Sequence, residues 1–250
     1  MRVVVCVKQV QLLGDEVEFE DDGLDVDPDY VDGALNEWDS VATEEALQLR
    51  ERLGGEVVLV TCGERESEAA LRRCLAMGAD RAIRVEGAAR DTLSVARALA
   101  EVVRAESPDL VLCGVQSSDS VQGATGTALA EYAGLARVAV VTKVDYDEGA
   151  HRATVRRELE GGLVDVVEVD TPAVLTVQTG INQPRYANLR AIKQAEAVEI
   201  EVRQASDGGP PASRVRRMFV PPKGEGAELL QGSPAEIAAR IAEIVKERLQ

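Results

Sequence analysis

Apolar runs of strand length alternate with segments of helical periodicity over the first 144 residues. The predicted strands cover residues 2–10, 56–61, 81–85, 110–114 and 138–144. The predicted helices cover residues 36–53, 67–77, 91–105 and 123–133, and three of them stop at a glycine. Strands that are apolar throughout and separated by helices are typical of a parallel sheet covered on both faces. The pattern therefore predicts an α/β fold with a doubly wound, mainly parallel sheet.

The pattern changes after residue 144. Residues 154–159 and 163–169 flank a Gly-Gly pair and predict a β-hairpin extension, and residues 173–177 predict a further strand. Residues 204–233 contain Gly-Gly-Pro-Pro and Pro-Pro and predict an extended arm. Ser233, Pro234 and Glu236 then predict a capping box that opens a last helix. We expect an α/β domain over residues 1–203 and a C-terminal arm and helix over residues 204–250.

That last helix has an apolar stripe that the long arm separates from the rest of the core. The stripe consists of Ile237, Ile241, Ile244, Val245 and Leu249. Two interpretations stay open: the stripe packs on a partner subunit, which we favour, or it folds back on its own domain.

Charge excludes several classes of partner. The 250 residues include 28 Lys and Arg against 44 Asp and Glu, a formal net charge of −16. Nucleic acids and acidic membrane surfaces attract clustered bases, so neither is an expected partner. Ten acids and no base fall within residues 11–32, which we expect to form an exposed hairpin or long loop. No apolar run approaches the ~20 residues needed to span a bilayer, and no signal peptide is evident, so we expect a protein of the bacterial cytoplasm or an organelle matrix.

The cysteines and the single histidine point away from metal chemistry. Cys6, Cys62, Cys74 and Cys113 are too far apart in sequence for a Cys-x-x-Cys pair, and His151 is alone. We therefore expect no metal site and no catalytic site based on histidine.

A ligand is expected beyond the carboxyl ends of the strands, where strand order reverses. Cys6, Cys62 and Cys113 each lie at such an end. The loop over residues 116–126 opens a helix and brings Ser120, Gly123, Thr125 and Gly126 to its N-terminus, where free amides favour an anion such as phosphate. Turn formation alone would also explain these small residues. The Walker-type phosphate loop and the Gly-x-Ser-x-Gly elbow are absent, which leaves a nucleotide held without hydrolysis.

Several blocks together resemble the beta subunit of electron transfer flavoproteins. They are Val3 to Lys8, ALNEWD from Ala34, Thr61 to Gly63, AMGADR from Ala76, residues 119–130, VRRELEGGL from Val155, PAVLT from Pro172 and NQPRYANL from Asn182. The resemblance covers nearly the whole chain. It implies a Rossmann-like three-layer sandwich that binds adenine nucleotide.

The resemblance implies an electron carrier with no independent catalytic site. In that family an alpha subunit holds most of an FAD, and the beta subunit binds a structural AMP. Electrons come from acyl-CoA and related dehydrogenases, as in fatty acid β-oxidation, and go to a membrane quinone oxidoreductase. The implied AMP site comprises Cys6, Asn36, Glu37, Trp38, Asp39, Cys62, Asp119, Ser120, Val121, Gln122, Gly123, Ala124, Thr125, Gly126, Thr127, Ala128, Leu129 and Ala130.

The resemblance also implies a loop that docks dehydrogenases, within residues 185–195. Its expected contact residues are Arg185, Tyr186, Leu189, Arg190 and Lys193, where Leu189 takes the place of the family's anchoring leucine. Residues 178–195 contain three bases and no acid, which would steer an acidic partner. An ordinary solvated turn followed by a short helix is the alternative that composition alone favours.

Two other functions stay open. One is a bifurcating electron transfer flavoprotein, in which this subunit would hold a second FAD in place of AMP and use NADH. The other is a free-standing ATP-binding regulator of the universal stress protein type, although its Gly-x-x-Gly frame, begun at Gly123, does not match.

Overall fold

The computed structural model describes residues 1–14, 16–87, 91–206, 210–222, 224, 226–227 and 229–249. Within them the strands are β1 (Arg2–Cys6), β2 (Gln9–Leu13), β3 (Val31–Leu35), β4 (Glu56–Cys62), β5 (Arg81–Glu86), β6 (Leu110–Gly114), β7 (Ala136–Asp147), β8 (Arg152–Glu158), β9 (Val164–Asp170), β10 (Ala173–Val177) and β11 (Glu201–Gln204). The helices are α1 (Glu37–Leu53), α2 (Glu68–Met77), α3 (Thr92–Glu106), α4 (Thr125–Ala133), α5 (Leu189–Glu196) and α6 (Pro234–Arg248).

The predicted fold class is confirmed. Over the described residues, nine strands form one sheet in the order β11-β5-β4-β1-β6-β10-β7-β8-β9. All pairs from β11 to β7 are parallel, whereas β7, β8 and β9 pair antiparallel and form the predicted hairpin extension. The central strands are buried along their length, because helices cover both faces of the sheet.

The two helical layers meet the sheet on opposite faces and create a switch point beside β1. One core cluster packs α1, α2 and α5 on the first face, and a second packs α3 and α4 on the other. The chain builds β4 and β5 on one side of β1 and then crosses to place β6 on its other side. Ligands of open α/β sheets bind at such a reversal, beyond the carboxyl ends of the strands.

The first predicted strand is wrong in one respect, because residues 2–10 form two strands. After Val7, whose N–H donates to the carbonyl of Val60, the N–H of Lys8 donates to the carboxylate of Asp39. This bond draws the chain out of the main sheet. The chain continues as β2, which pairs antiparallel with β3. These two strands enclose the acidic segment, whose described residues form a long and mostly exposed connection, so the expectation of an exposed hairpin or long loop is confirmed.

The C-terminal helix begins as predicted. The Ser233 side chain accepts from the N–H of Glu236, and the Glu236 carboxylate accepts in turn from the N–H of Ser233. No described residue of α6 is buried, and Ile241 and Leu249 are 49% and 82% exposed. Among the described residues, the apolar stripe is therefore largely exposed.

Candidate functional site

A pocket of about 220 Å³ lies at the switch point, beyond the ends of β1, β4 and β6. Cys6, Cys62 and Cys113, together with Val95 and Leu99 of α3, form its apolar part. Lys8, the loop before α4 and the first turn of α4 form its polar part. The pocket thus offers an apolar wall for a flat ring and a polar end for a charged group.

Asp39 joins the start of α1 to the ends of two strands. Its Oδ2 accepts from the N–H of Lys8 and its Oδ1 accepts from the N–H of Gly114, each at a distance of 2.9 Å. Burial raises the pKa of the Asp39 carboxyl to about 6, although these hydrogen bonds and one from Asn36 act in the opposite direction. Asp39 therefore fixes the geometry of the pocket floor.

Asn36 lines the pocket and carries a buried, unsatisfied acceptor. Its Nδ2 donates to the carbonyl of Gln116 over 2.8 Å, but its Oδ1 has no hydrogen-bond partner within the described part of the chain. The residue is only 1% exposed and lines the pocket. A buried acceptor without a partner is costly, so this atom suits a ligand that brings an N–H or O–H donor.

The N-termini of α3 and α4 both line the pocket, but among the described residues only that of α3 is capped by a side chain. The Asp91 carboxylate caps α3 by accepting from the N–H groups of Leu93 (3.2 Å) and Ser94 (3.3 Å). At α4 the capping position is Ala124, and no side-chain bond caps the helix among the described residues. Free amides at a helix N-terminus favour an anion, so the start of α4 is the part of the pocket that suits one.

Gly126 allows α4 to approach the sheet. A Cβ at this position would lie 2.6 Å from the Thr176 Cγ2 and 3.5 Å from the Cys113 Cβ. The first turn of α4 can therefore pack directly over β6 and β10. A larger residue here would push the helix away from the sheet rather than simply fill the anion site.

Lys8 is a pocket residue that was not among the residues expected for the site. Its Nζ donates to Asp119 Oδ1 (2.6 Å) and to the hydroxyls of Ser117 (3.2 Å) and Ser120 (3.3 Å). Burial would raise the pKa of Asp119, but the bonds from Lys8 and Ser117 outweigh it and hold that pKa below its ordinary value. The signal in the sequence was the position directly after a buried strand that ends at the ligand edge.

Two of the pocket thiols, those of Cys6 and Cys62, are held in the neutral form. Cys6 lies opposite Cys113 in the register of β1 and β6, and the hydrogen bond between them, with burial, raises the pKa of Cys6 well above its ordinary value. Burial raises the pKa of Cys62 to about 12. They serve as apolar lining rather than as nucleophiles.

The segment before α5 is held by one of its own bases. Arg185 pairs with Glu44 and Glu51 of α1, and both oxygens of Glu44 accept from its guanidinium. The next residue, Tyr186, is 93% exposed, and Leu189 is 78% exposed. Exposed Arg190 and Lys193 lie on α5 and take part in no ion pair within the residues described.

Comparisons with known proteins agree on one family. The family model described as "Electron transfer flavoprotein domain" matches residues 23–208. The chain is 45% identical to the electron transfer flavoprotein subunit beta of Methylophilus methylotrophus, over 99% of this chain and 98% of that protein. It is 33% identical to the subunit beta of Syntrophomonas wolfei subsp. wolfei, over 100% of this chain and 98% of that protein. The chain belongs to the electron transfer flavoprotein beta-subunit family.

Membership of this family makes the chain an electron carrier subunit, and it displaces the alternative of a free-standing stress-type regulator. The curated relatives include a plant protein, the mitochondrial subunit beta of Arabidopsis thaliana, which is 34% identical over 83% of each chain. No helix of the described residues is both long and apolar enough to cross a membrane.

The structure brings most of the residues expected for the electron transfer flavoprotein nucleotide site into one pocket. The expected residues that line it are Cys6, Asn36, Asp39, Cys62, Ser120, Gln122, Gly123, Ala124, Thr125 and Gly126. Asp119 acts through its bond to Lys8.

The other expected residues lie outside the lining. Glu37 is exposed, Trp38 donates from Nε1 to Gln178, and Val121 is 59% exposed. Farther along α4, Leu129 and Ala130 belong to the core under α3, and Thr127 and Ala128 are half-buried. Sequence resemblance marked a continuous segment, whereas only its first part faces the pocket.

Proposed function

We propose that this beta subunit holds AMP in the switch-point pocket and joins an alpha subunit that carries FAD. The observation that carries this proposal is that, over the described residues, two unsatisfied groups belong to elements that line one pocket. They are the uncapped N-terminus of α4 and the buried Oδ1 of the lining residue Asn36. A nucleotide monophosphate supplies what both lack, because its phosphate is an anion and its base and ribose carry hydrogen-bond donors.

Each part of the pocket then has a role in binding. The first amides of α4 and the Ser120 hydroxyl would receive the phosphate, and Asn36 would accept from the base or the ribose. The apolar wall of Cys62, Val95 and Leu99 would contact the base. The AMP is structural, and the FAD of the alpha–beta complex supplies the redox chemistry.

A bifurcating protein would hold a second FAD in this pocket in place of AMP. Nucleotide extraction from the purified complex, followed by chromatography, separates the two: AMP supports the proposal, and FAD in excess of one per complex favours the bifurcating alternative.

Ala124→Asp tests the phosphate position without removing a packed group. Ala124 is exposed at the capping position of α4, and aspartate is a preferred N-cap that would occupy the amides and repel a phosphate. We expect the variant to keep its fold and lose most of its AMP. Ala124→Asn is the matched control, because it caps without charge and should retain more nucleotide. Equal AMP content in both variants would contradict this placement.

We further propose that Tyr186 and Leu189 dock acyl-CoA and related dehydrogenases, from which electrons pass through FAD to a membrane quinone oxidoreductase. The support is an exposed apolar pair beside two bases, Arg190 and Lys193, that form no ion pair with any described residue. Such a surface suits an apolar socket with an acidic rim. Leu189→Ala should slow electron arrival without changing the flavin spectrum. Leu163→Ala, at a leucine that is 66% exposed on the hairpin, is the control.

The remaining expectations concern the setting of the subunit. We propose that the arm and helix over residues 204–250 pack on the alpha subunit, which would cover the exposed stripe of α6. We propose a bacterial cytoplasm or an organelle matrix as its location. A complex truncated before residue 204 should lose alpha subunit during gel filtration.

A further inference from the structure

The Arg185 guanidinium forms ion pairs with two carboxylates of this same chain, those of Glu44 and Glu51. Its backbone N–H donates to Glu44 Oε2 at 3.1 Å, and its Nε donates to the same oxygen at 2.8 Å. Its Nη2 donates to Glu44 Oε1 at 3.0 Å. Its Nη1 donates to Glu51 Oε1 over 2.5 Å. Burial would raise the pKa of Glu44, but the bonds from Arg185 and Gln48 hold it below its ordinary value, so the pair stays ionised.

The same face of α1 holds the chain just before Arg185. Asn182 donates from Nδ2 to the carbonyl of Val41 (3.1 Å) and to Glu45 Oε2 (3.0 Å). Residues 182–185 are thus attached to α1 through two side chains and one backbone group. Fork-shaped guanidinium–carboxylate contacts fix orientation as well as distance.

A second arginine holds the far end of α5. Arg72 Nη1 of α2 donates to the carbonyls of Ala195 (2.8 Å), Glu196 (3.1 Å) and Val198 (3.2 Å). The exposed Tyr186 and Leu189 therefore project from a short segment that is fixed on both sides. Neither of them is itself held by packing, since both lie in solvent.

We propose that Arg185 is a positioning residue for the docking surface formed by Tyr186 and Leu189, and not one of its steering charges. This inference rests on the docking role proposed above. Fixing the segment before the encounter removes the entropy cost of ordering it on binding. Steering then falls to Arg190 and Lys193, so two of the three bases of this stretch face the partner.

The test uses the purified alpha–beta complex as electron acceptor for an acyl-CoA dehydrogenase, with KM and kcat measured over a range of ionic strength. Arg185→Met should raise the KM for the complex by about tenfold, leave kcat within about twofold, and preserve the slope of KM against ionic strength. Arg190→Gln with Lys193→Gln should flatten that slope. Arg152→Met is the matched control, since Arg152 also pairs with two carboxylates, Glu168 and Asp170.

Arg185→Met leaves the buried Glu44 without its partner and could unfold the chain. The double variant Arg185→Met with Glu44→Gln removes both charges and should show the same rise in KM. Arg185→Lys should recover part of the wild-type KM, because lysine can reach one carboxylate. Hydrogen exchange of the amides of residues 185, 191 and 192, which are hydrogen-bonded in this segment, should accelerate in Arg185→Met. This measurement reports the loss of the attachment without any partner present.

Three results overturn the inference: an unchanged KM in Arg185→Met and in the double variant, a slope flattened as much as by the Arg190 and Lys193 changes, or unchanged hydrogen exchange. If Leu189→Ala also leaves KM unchanged, the proposed docking surface fails instead. Faster exchange in Arg185→Met would then still show that Arg185 holds the segment, so the two failures are distinguishable.

Discussion

The carboxylate of Asp39, in the first turn of α1, accepts a hydrogen bond from the backbone N–H of Gly114 at the end of β6. The contact requires a glycine. A Cβ at residue 114 would lie 2.5 Å from both Asp39 Oδ1 and Trp38 Cβ, and 3.0 Å from the Trp38 carbonyl carbon. Helix and strand can meet at the pocket floor only because this strand end has no side chain.

Gly114→Ala should therefore destabilise the chain, because the new methyl group forces α1 away from β6. We expect a loss of about 1–3 kcal/mol in the free energy of unfolding, measured by urea titration. Gly149→Ala is the control, since its Cβ would meet only Asp147 Oδ1, at 3.4 Å. Its effect should stay within about 0.5 kcal/mol. Equal stability of the two variants would argue against the close approach.

Asp39 should also give the chain a distinctive pH dependence. Its pKa in the fold is about 6, against an ordinary 3.8, so the folded state binds this proton more tightly than the unfolded state. The free energy of unfolding contributed by this group is thus greatest below pH 4 and falls as pH rises through 6, by roughly 3 kcal/mol at most.

Comparison with Asp39→Asn isolates that contribution, because the other titrating groups are shared. The difference in unfolding free energy, wild type minus variant, should fall between about pH 4 and 7 in urea titrations. A difference that is flat or rises over this window would contradict the raised pKa.

Most of the fold could be predicted from the sequence, because fully apolar strands and amphipathic helices have hydrophobic patterns that show which of their faces are buried. Contacts between residues far apart in the sequence could not be predicted in this way. The split of residues 2–10 depends on Asp39, and the neutralisation of Arg185 depends on Glu44, which is 141 positions away. The polar edge strand β11 has one neighbour and little apolar signal, so it was missed. The sequence predicted residues 119–130 as one continuous part of the site, whereas in the structure only residues 120 and 122–126 of that segment line the pocket.

If AMP occupies the pocket as proposed, its removal should change the reactivity of one thiol. Cys62 lines the pocket and is partly exposed, whereas Cys74 is fully buried between α1 and α2. Burial raises the pKa of each to about 12, so both should react slowly with iodoacetamide at pH 8. After AMP is stripped, Cys62 should be alkylated several-fold faster and Cys74 at an unchanged rate, as read by peptide mass spectrometry. An equal increase at both would indicate general unfolding, and no increase at Cys62 would place the nucleotide elsewhere.

Lys8 gives the sharpest test of how the phosphate end of the pocket is built. Lys8→Met removes the cation that bonds Asp119, Ser117 and Ser120, and it leaves the Asp119 charge uncompensated beside the anion site. We expect AMP affinity, measured by calorimetry on the stripped complex, to fall by roughly ten- to a hundredfold, the equivalent of about 1.5–3 kcal/mol for a bond to a charged group. Lys143→Met, which breaks an exposed pair with Asp145, is the control.

The double variant Lys8→Met with Asp119→Asn separates two ways in which Lys8 could act. If Lys8 only neutralises Asp119, removal of both charges should restore most of the AMP affinity. If Lys8 also contacts the phosphate, the loss should persist in the double variant. Affinity in Lys8→Met equal to that in Lys143→Met would contradict both, because the bonded group formed by Lys8, Ser117, Asp119 and Ser120 would then play no part in holding the nucleotide.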